Sequence, residues 1–116
     1  MMATLMSKSR NQKVLHELRT AASLWSRTRG LLGTPSLPTG HGLWILRCNS
    51  IHTFFMNYPI DCIFLDRHMK VVALDENVKP GRLLWPRWGA DSVVEIAGGQ
   101  LSTLSLQLGE ELYVGD

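Results

Sequence analysis

The stretch CNSIHTFFMNYPIDCIFLD, Cys48 to Asp66, reads as two extended pieces joined by a bend. Pro59 keeps Tyr58 out of the helical region, so MNYP turns the chain rather than continuing a helix. Beyond the bend, IDCIFL has strand periodicity, with Ile60, Cys62 and Phe64 on one face and Asp61, Ile63 and Leu65 on the other. DRHM then serves as a hairpin connection and KVVAL as its return strand. Before the bend, SIHTFF is rich in the β-branched and aromatic residues that favour extended backbone.

Working outward, KVLHELRT predicts a strand over about residues 13–20, and LWILRC and SVVEIA predict two more. EELYV suggests a last short strand. Ser23 is placed to cap a short helix ended by Gly33, and GGQLSTLSLQLG suggests a second over about 99–106. DENVKPGRLLWPRWGAD reads as a long irregular stretch. About seven short strands among Gly/Pro turns predict a mainly β fold. The expected form is a compact single-domain β-sandwich or barrel with one or two short helices. Residues 1–11 are expected as a flexible tail and 12–116 as the β-rich domain.

Composition narrows the function classes. At 116 residues, with 45 % apolar and 19 % charged residues, the chain has ordinary globular character and can bury a core without disulfides. The net charge is +2 but is unevenly placed. Residues 1–58 carry seven Lys/Arg against one acid, and residues 59–116 carry five against nine acids. Pairing of the two halves within one fold accounts for this asymmetry. No apolar run reaches membrane-spanning length, and the first residues lack a signal-peptide pattern. A cytoplasmic setting is expected, or an envelope-associated one if a leader was trimmed. The two cysteines, Cys48 and Cys62, are expected as free thiols. There is no P-loop, dinucleotide fingerprint or nucleic-acid signature, so neither a cofactor nor nucleic-acid binding is expected. The expected partner is a small molecule or another protein.

Several residues nevertheless carry chemistry. Cys48, His52 and Met56 are soft or borderline metal ligands spaced by four. On extended backbone four residues span about 13 Å, too far for one ion, so no metal site is assigned to them. His52 and Asp61 are the residue types of an acid–base pair, which would suit a small hydrolase or isomerase. Asp61 sits in an apolar strand, where a buried carboxylate must be paired or hydrogen-bonded. Arg29, Arg47, Arg82 and the backbone at 57–59 are its candidate partners. Trp85 and Trp88, beside Arg82 and Arg87, suit either a stacking platform or a lid over an open sheet end.

Four segments in order also resemble a known family. RTRGLLG (27–33), SIHTFFMNYPIDCIFLD (50–66), ENVKPGR (76–82) and ADSVVEIAGGQLSTLSLQLGEEL (90–112) are similar to family 192 of the domains of unknown function, small conserved bacterial and archaeal domains. The resemblance covers nearly all of the chain from about residue 12. It implies a β-rich sandwich or barrel and no established reaction. Its signature positions fall on Arg29, Gly30, Leu31, His52, Thr53, Met56, Ile60, Asp61, Phe64, Leu65, Asp66, Glu95 and Gly98. The sequence departs from the pattern in DRHMK, which lacks the usual turn glycine, and at Glu110, where an aspartate is usual. The expected function is a non-enzymatic ligand-binding or accessory module. Its polar rim pocket would draw on Arg29, His52, Thr53, Asp61, Arg82, Trp85 and Trp88.

Overall fold

The hairpin after the bend forms without a turn glycine. Asp66 replaces it: its Oδ1 accepts the amides of His68 at 2.8 Å and Lys70 at 2.9 Å. Those bonds hold Met69 in the left-handed region at φ 64. Burial alone would raise the Asp66 carboxyl, but the Lys70 and His68 amides outweigh it and hold the group below its ordinary range.

The computed structural model describes residues 3–23, 30–31 and 34–115. Seven strands appear in the order β1 (Ala3–Ser7), β2 (Gln12–Ala21), β3 (His41–Leu46), β4 (Ile60–Leu65), β5 (Val71–Val78), β6 (Ser92–Ala97) and β7 (Leu112–Gly115). A four-residue helix, α1 (Leu101–Leu104), lies between β6 and β7. The strands form one sheet in the order β5-β4-β6-β3-β2-β1-β7. Among the described strands β2 and β3 pair in parallel and every other pair is antiparallel. The two ends of the sheet meet where Lys70 bridges Glu111. There the Val71 amide donates to the Glu110 carbonyl and the Leu112 amide to the Met69 carbonyl, both at 2.9 Å. The sheet therefore closes on itself as a barrel.

The sheet is apolar on both faces where β4 and β6 run. Leu5, Leu15, Leu18, Ile63, Leu65, Val94, Ile96 and Leu112 form one core, with Leu101 and Leu106 packed on it. Leu43, Ile45, Ile60, Cys62, Phe64 and Val93 form a second core on the opposite face. It is covered by Leu31, Ile51 and the half-buried Cys48, Met56, Tyr58 and Leu84. Burial on both sides explains why all six residues of β4 are buried and why its sequence carries so little polarity.

Several expectations are corrected. Residues 1–11 are not simply a tail: Ala3–Ser7 pairs with both β2 and β7, and Leu5 and Ser7 are fully buried. SIHTFF is not a regular strand, since only His52 makes a bridge, to Leu83, and Phe54 and Phe55 turn. The return strand runs on to Val78, into the stretch read as irregular. The helix expected over 99–106 shortens to Leu101–Leu104, because Ser105 adopts φ 55 and ends it. The helix expected after Ser23 falls largely outside the described residues. Two charge pairs, Lys8–Glu111 and Arg10–Glu110, join the basic and acidic halves. No helix among the described residues is long and apolar enough to cross a membrane.

Candidate functional site

Two loops on the second-core side are laced together. The Thr53 amide donates to the Arg82 carbonyl at 2.8 Å, Leu84 to Ile51 at 3.0 Å and Arg87 to Asn49 at 2.8 Å. Thr53 is the clasp. Its hydroxyl donates to the Lys79 carbonyl at 2.6 Å and accepts the Arg82 amide at 2.9 Å, while its own carbonyl accepts the Gly81 amide at 2.9 Å. A fully buried Thr53 thus satisfies the backbone of a Pro-Gly turn that otherwise has no strand partner.

The ribbon presents apolar side chains outward. Trp88 is 100 % exposed, Phe55 88 %, Trp85 78 %, Leu83 63 % and Phe54 42 %. His52 is also exposed, its ring stacked on Phe54 with centroids 5.2 Å apart. Arg87 is held inward by a two-pronged pair with Asp75, one bond of which measures 3.0 Å, and lies 5.7 Å from the Phe64 ring centroid. Lys79 and Arg82 remain exposed on the same loops.

Asp61 belongs to a different place. Its side chain lies on the first-core face, where Oδ1 accepts the Asn77 amide at 2.7 Å and Oδ2 accepts the Leu101 amide at 2.8 Å. Among the described residues, neither Arg47, Arg82 nor the 57–59 backbone is its partner, and Arg29 lies outside them. Asn77, at φ 51, interrupts the β5 ladder, and Leu101 opens α1, whose first amides have no acceptor within the helix. Asp61 caps both, fully buried, and makes no hydrogen bond to the exposed His52.

The metal candidates are likewise drawn apart. Cys48 Sγ donates to the Ser50 carbonyl at 2.9 Å, Met56 packs on the second core, and His52 stacks on Phe54. No cluster of three or more His, Cys, Asp or Glu able to hold a metal occurs among the described residues. Of the residues expected at a rim pocket, His52, Arg82, Trp85 and Trp88 share the ribbon. Thr53 and Asp61 are buried beneath or away from it, and Arg29 lies outside the described residues.

One group was not proposed as a site from sequence. Glu95 stands across from Cys62, which stands across from Asp75, in one row over β6, β4 and β5. Glu95 is 5 % exposed and has no hydrogen-bond partner among the described residues. Its burial pushes the carboxyl from its ordinary 4.5 up to about 7. Burial, then the charges of Glu95, Asp75 and Asp61, raise the Cys62 thiol well above its usual value, which favours the protonated thiol. The signal was available: a lone acid in SVVEIA is as anomalous as Asp61 in IDCIFL.

The family model for domain of unknown function 192, described as "Uncharacterized ACR", matches residues 5–114. The chain belongs to that family. Among its relatives in the family is a UPF0127 protein of Thermococcus sibiricus, 34 % identical over 113 residues, covering 93 % of this chain and 72 % of that protein. Another, from Pyrococcus horikoshii, is 32 % identical over 93 % of this chain and 96 % of its own length. These two relatives are archaeal. A crystal structure of a protein of unknown function from Novosphingobium aromaticivorans superimposes with a TM-score of 0.82 at 20 % identity, over 97 % of this chain and 83 % of that one. That likeness shows that the family 192 fold is shared.

Proposed function

We propose that this family 192 protein is a non-enzymatic binding or accessory module whose contact surface is the paired ribbon of residues 49–55 and 81–88. The observation that carries the reading is the exposure of five large apolar side chains on two loops bonded to each other. A monomer with no partner gains nothing from such a patch, which lowers solubility. The acid–base alternative is less well supported, because both oxygens of Asp61 accept amides and, among the described residues, no carboxylate pairs with His52. Two cysteines that are not joined in a disulfide, one of them deeply buried, accord with a cytoplasmic setting. The test is a panel of hydrolase and isomerase substrates presented to the parent and to His52→Ala. No His52-dependent turnover is expected. Turnover lost in His52→Ala at an unchanged melting temperature overturns the reading.

A further inference from the structure

We propose that the ribbon docks on an anionic lipid surface, inserting Trp85, Trp88, Phe55 and Leu83 at the headgroup level while Lys79 and Arg82 meet the lipid charge. The proposal rests on the ribbon being a contact surface and names what it contacts.

Three observations select a bilayer. The apolar side chains stand out from the loops, with Trp88 at 100 % and Phe55 at 88 % exposure, and the hollow that Trp88 lines with Asn49, Pro86, Arg87 and Gly89 is open to solvent. A small-molecule site would bury its ligand between walls, whereas an interface receives projecting side chains without needing a cavity. Tryptophan in particular settles at the headgroup level. Charge is the second. Residues 47–58 and 79–90 contain Arg47, Lys79, Arg82 and Arg87 and no Asp or Glu. Asp75 neutralises Arg87 and Arg47 donates to the Ala22 carbonyl, but Lys79 and Arg82 have no ion pair among the described residues and stand on the same loops as the aromatic side chains. A cationic, aromatic patch complements an anionic surface. It opposes a second copy meeting it face to face, where like charges would approach. The third is backbone. Phe55 adopts φ 66, a conformation glycine takes without strain, and does so with its ring in solvent. This backbone sets a large apolar ring in solvent, where an interface can take it up. Single-stranded nucleic acid is the rival for aromatics beside cations. Leu83 offers no stacking face, and two unpaired cations on the aromatic loops make a short track for phosphates.

The test is co-sedimentation of the full chain with phosphatidylcholine vesicles and with vesicles also carrying phosphatidylglycerol, read together with tryptophan emission. Two cations at the surface predict about 30-fold tighter partitioning onto the anionic vesicles. A blue shift of the emission should accompany binding. Trp88→Ser and Phe55→Ser should each weaken partitioning about tenfold, and the pair Lys79→Glu with Arg82→Glu should remove the preference for anionic lipid. Circular dichroism melts confirm that these exposed variants are folded. No partitioning onto either vesicle overturns the proposal, as does equal binding to both. Binding of an oligothymidylate in place of vesicles, or self-association abolished by Trp88→Ser, also overturns it. Those last results leave the ribbon a contact surface, whereas His52-dependent turnover removes that reading itself.

Discussion

Asp61 and Glu95 sit on neighbouring strands of one sheet, both buried, on opposite faces. Asp61 looks toward the first core and is saturated: two backbone amides point at its two oxygens, at 2.7 and 2.8 Å. Glu95 looks toward the second core and has no hydrogen-bond partner among the described residues, so burial drives its carboxyl toward the neutral form. At Asp61 two amides satisfy the buried oxygens, and at Glu95 burial is the cause of the raised value. The same division extends outward. Behind Asp61 the barrel interior is closed by strands and α1. Above the Glu95 row lie loops whose outer faces carry exposed tryptophans and phenylalanines.

The sharpest way to break this contrast is at Asp61. Asp61→Ala strands the buried Leu101 amide, at about 1–3 kcal/mol, and the part-buried Asn77 amide at less, so a loss of about 3–4 kcal/mol is expected by denaturant or thermal unfolding. A variant as stable as the parent would remove Asp61 from the framework.

Glu95 should behave in the opposite sense. Its folded value, about 7, lies above the ordinary 4.5. The native state therefore holds this proton more tightly than the unfolded chain does. Glu95 stabilises most below about pH 4.5, and that contribution is lost as the pH rises toward 7. At about 1.4 kcal/mol per pH unit, the loss reaches about 3 kcal/mol. Glu95→Gln should lack it, so its stability relative to the parent should climb across this window and level off above it. A flat difference between the two melting curves would show that Glu95 is ionised and satisfied in the native protein.

Thr53→Val removes the clasp but preserves shape, leaving the Arg82 amide with one bond fewer and the Lys79 carbonyl without its hydroxyl donor. About 2 kcal/mol is expected, with hydrogen exchange accelerating at Gly81 and Arg82 before the strands respond. Uniform acceleration across the barrel would contradict a local clasp. Trp88→Ser, fully exposed, should move stability by no more than about 0.5 kcal/mol. A larger loss in its melt would make Trp88 a lid on the core instead of a contact residue.

The two faces of β4 were legible in the sequence. The alternation of Ile60, Cys62 and Phe64 with Asp61, Ile63 and Leu65 is what the two cores use. Strand β1 was not legible, since ATLMS is short and follows no turn signal, and only its pairing with β2 and β7 makes it a strand. The lacing of 49–55 to 81–87 was invisible for a related reason: it joins irregular segments about thirty residues apart through backbone groups that no residue type announces. The need of Asp61 for donors could be read from its neighbours, but their identity could not. Asn77 and Leu101 contribute amides, which every residue but proline possesses. Glu95 went unassigned because its strand reads as core, and a row running through Cys62 to Asp75 exists only once β4, β5 and β6 are in register.

Whether the framework and the ribbon are separate is best asked of Asp61 and His52 together. In a double-mutant cycle of Asp61→Ala and His52→Ala, read by equilibrium unfolding, the two effects should add to within about 0.5 kcal/mol, because the residues share no hydrogen-bond partner. A coupling of about 1 kcal/mol or more would mean that His52 and Asp61 act as a unit, and would contradict the separation of a buried scaffold from an exposed binding ribbon.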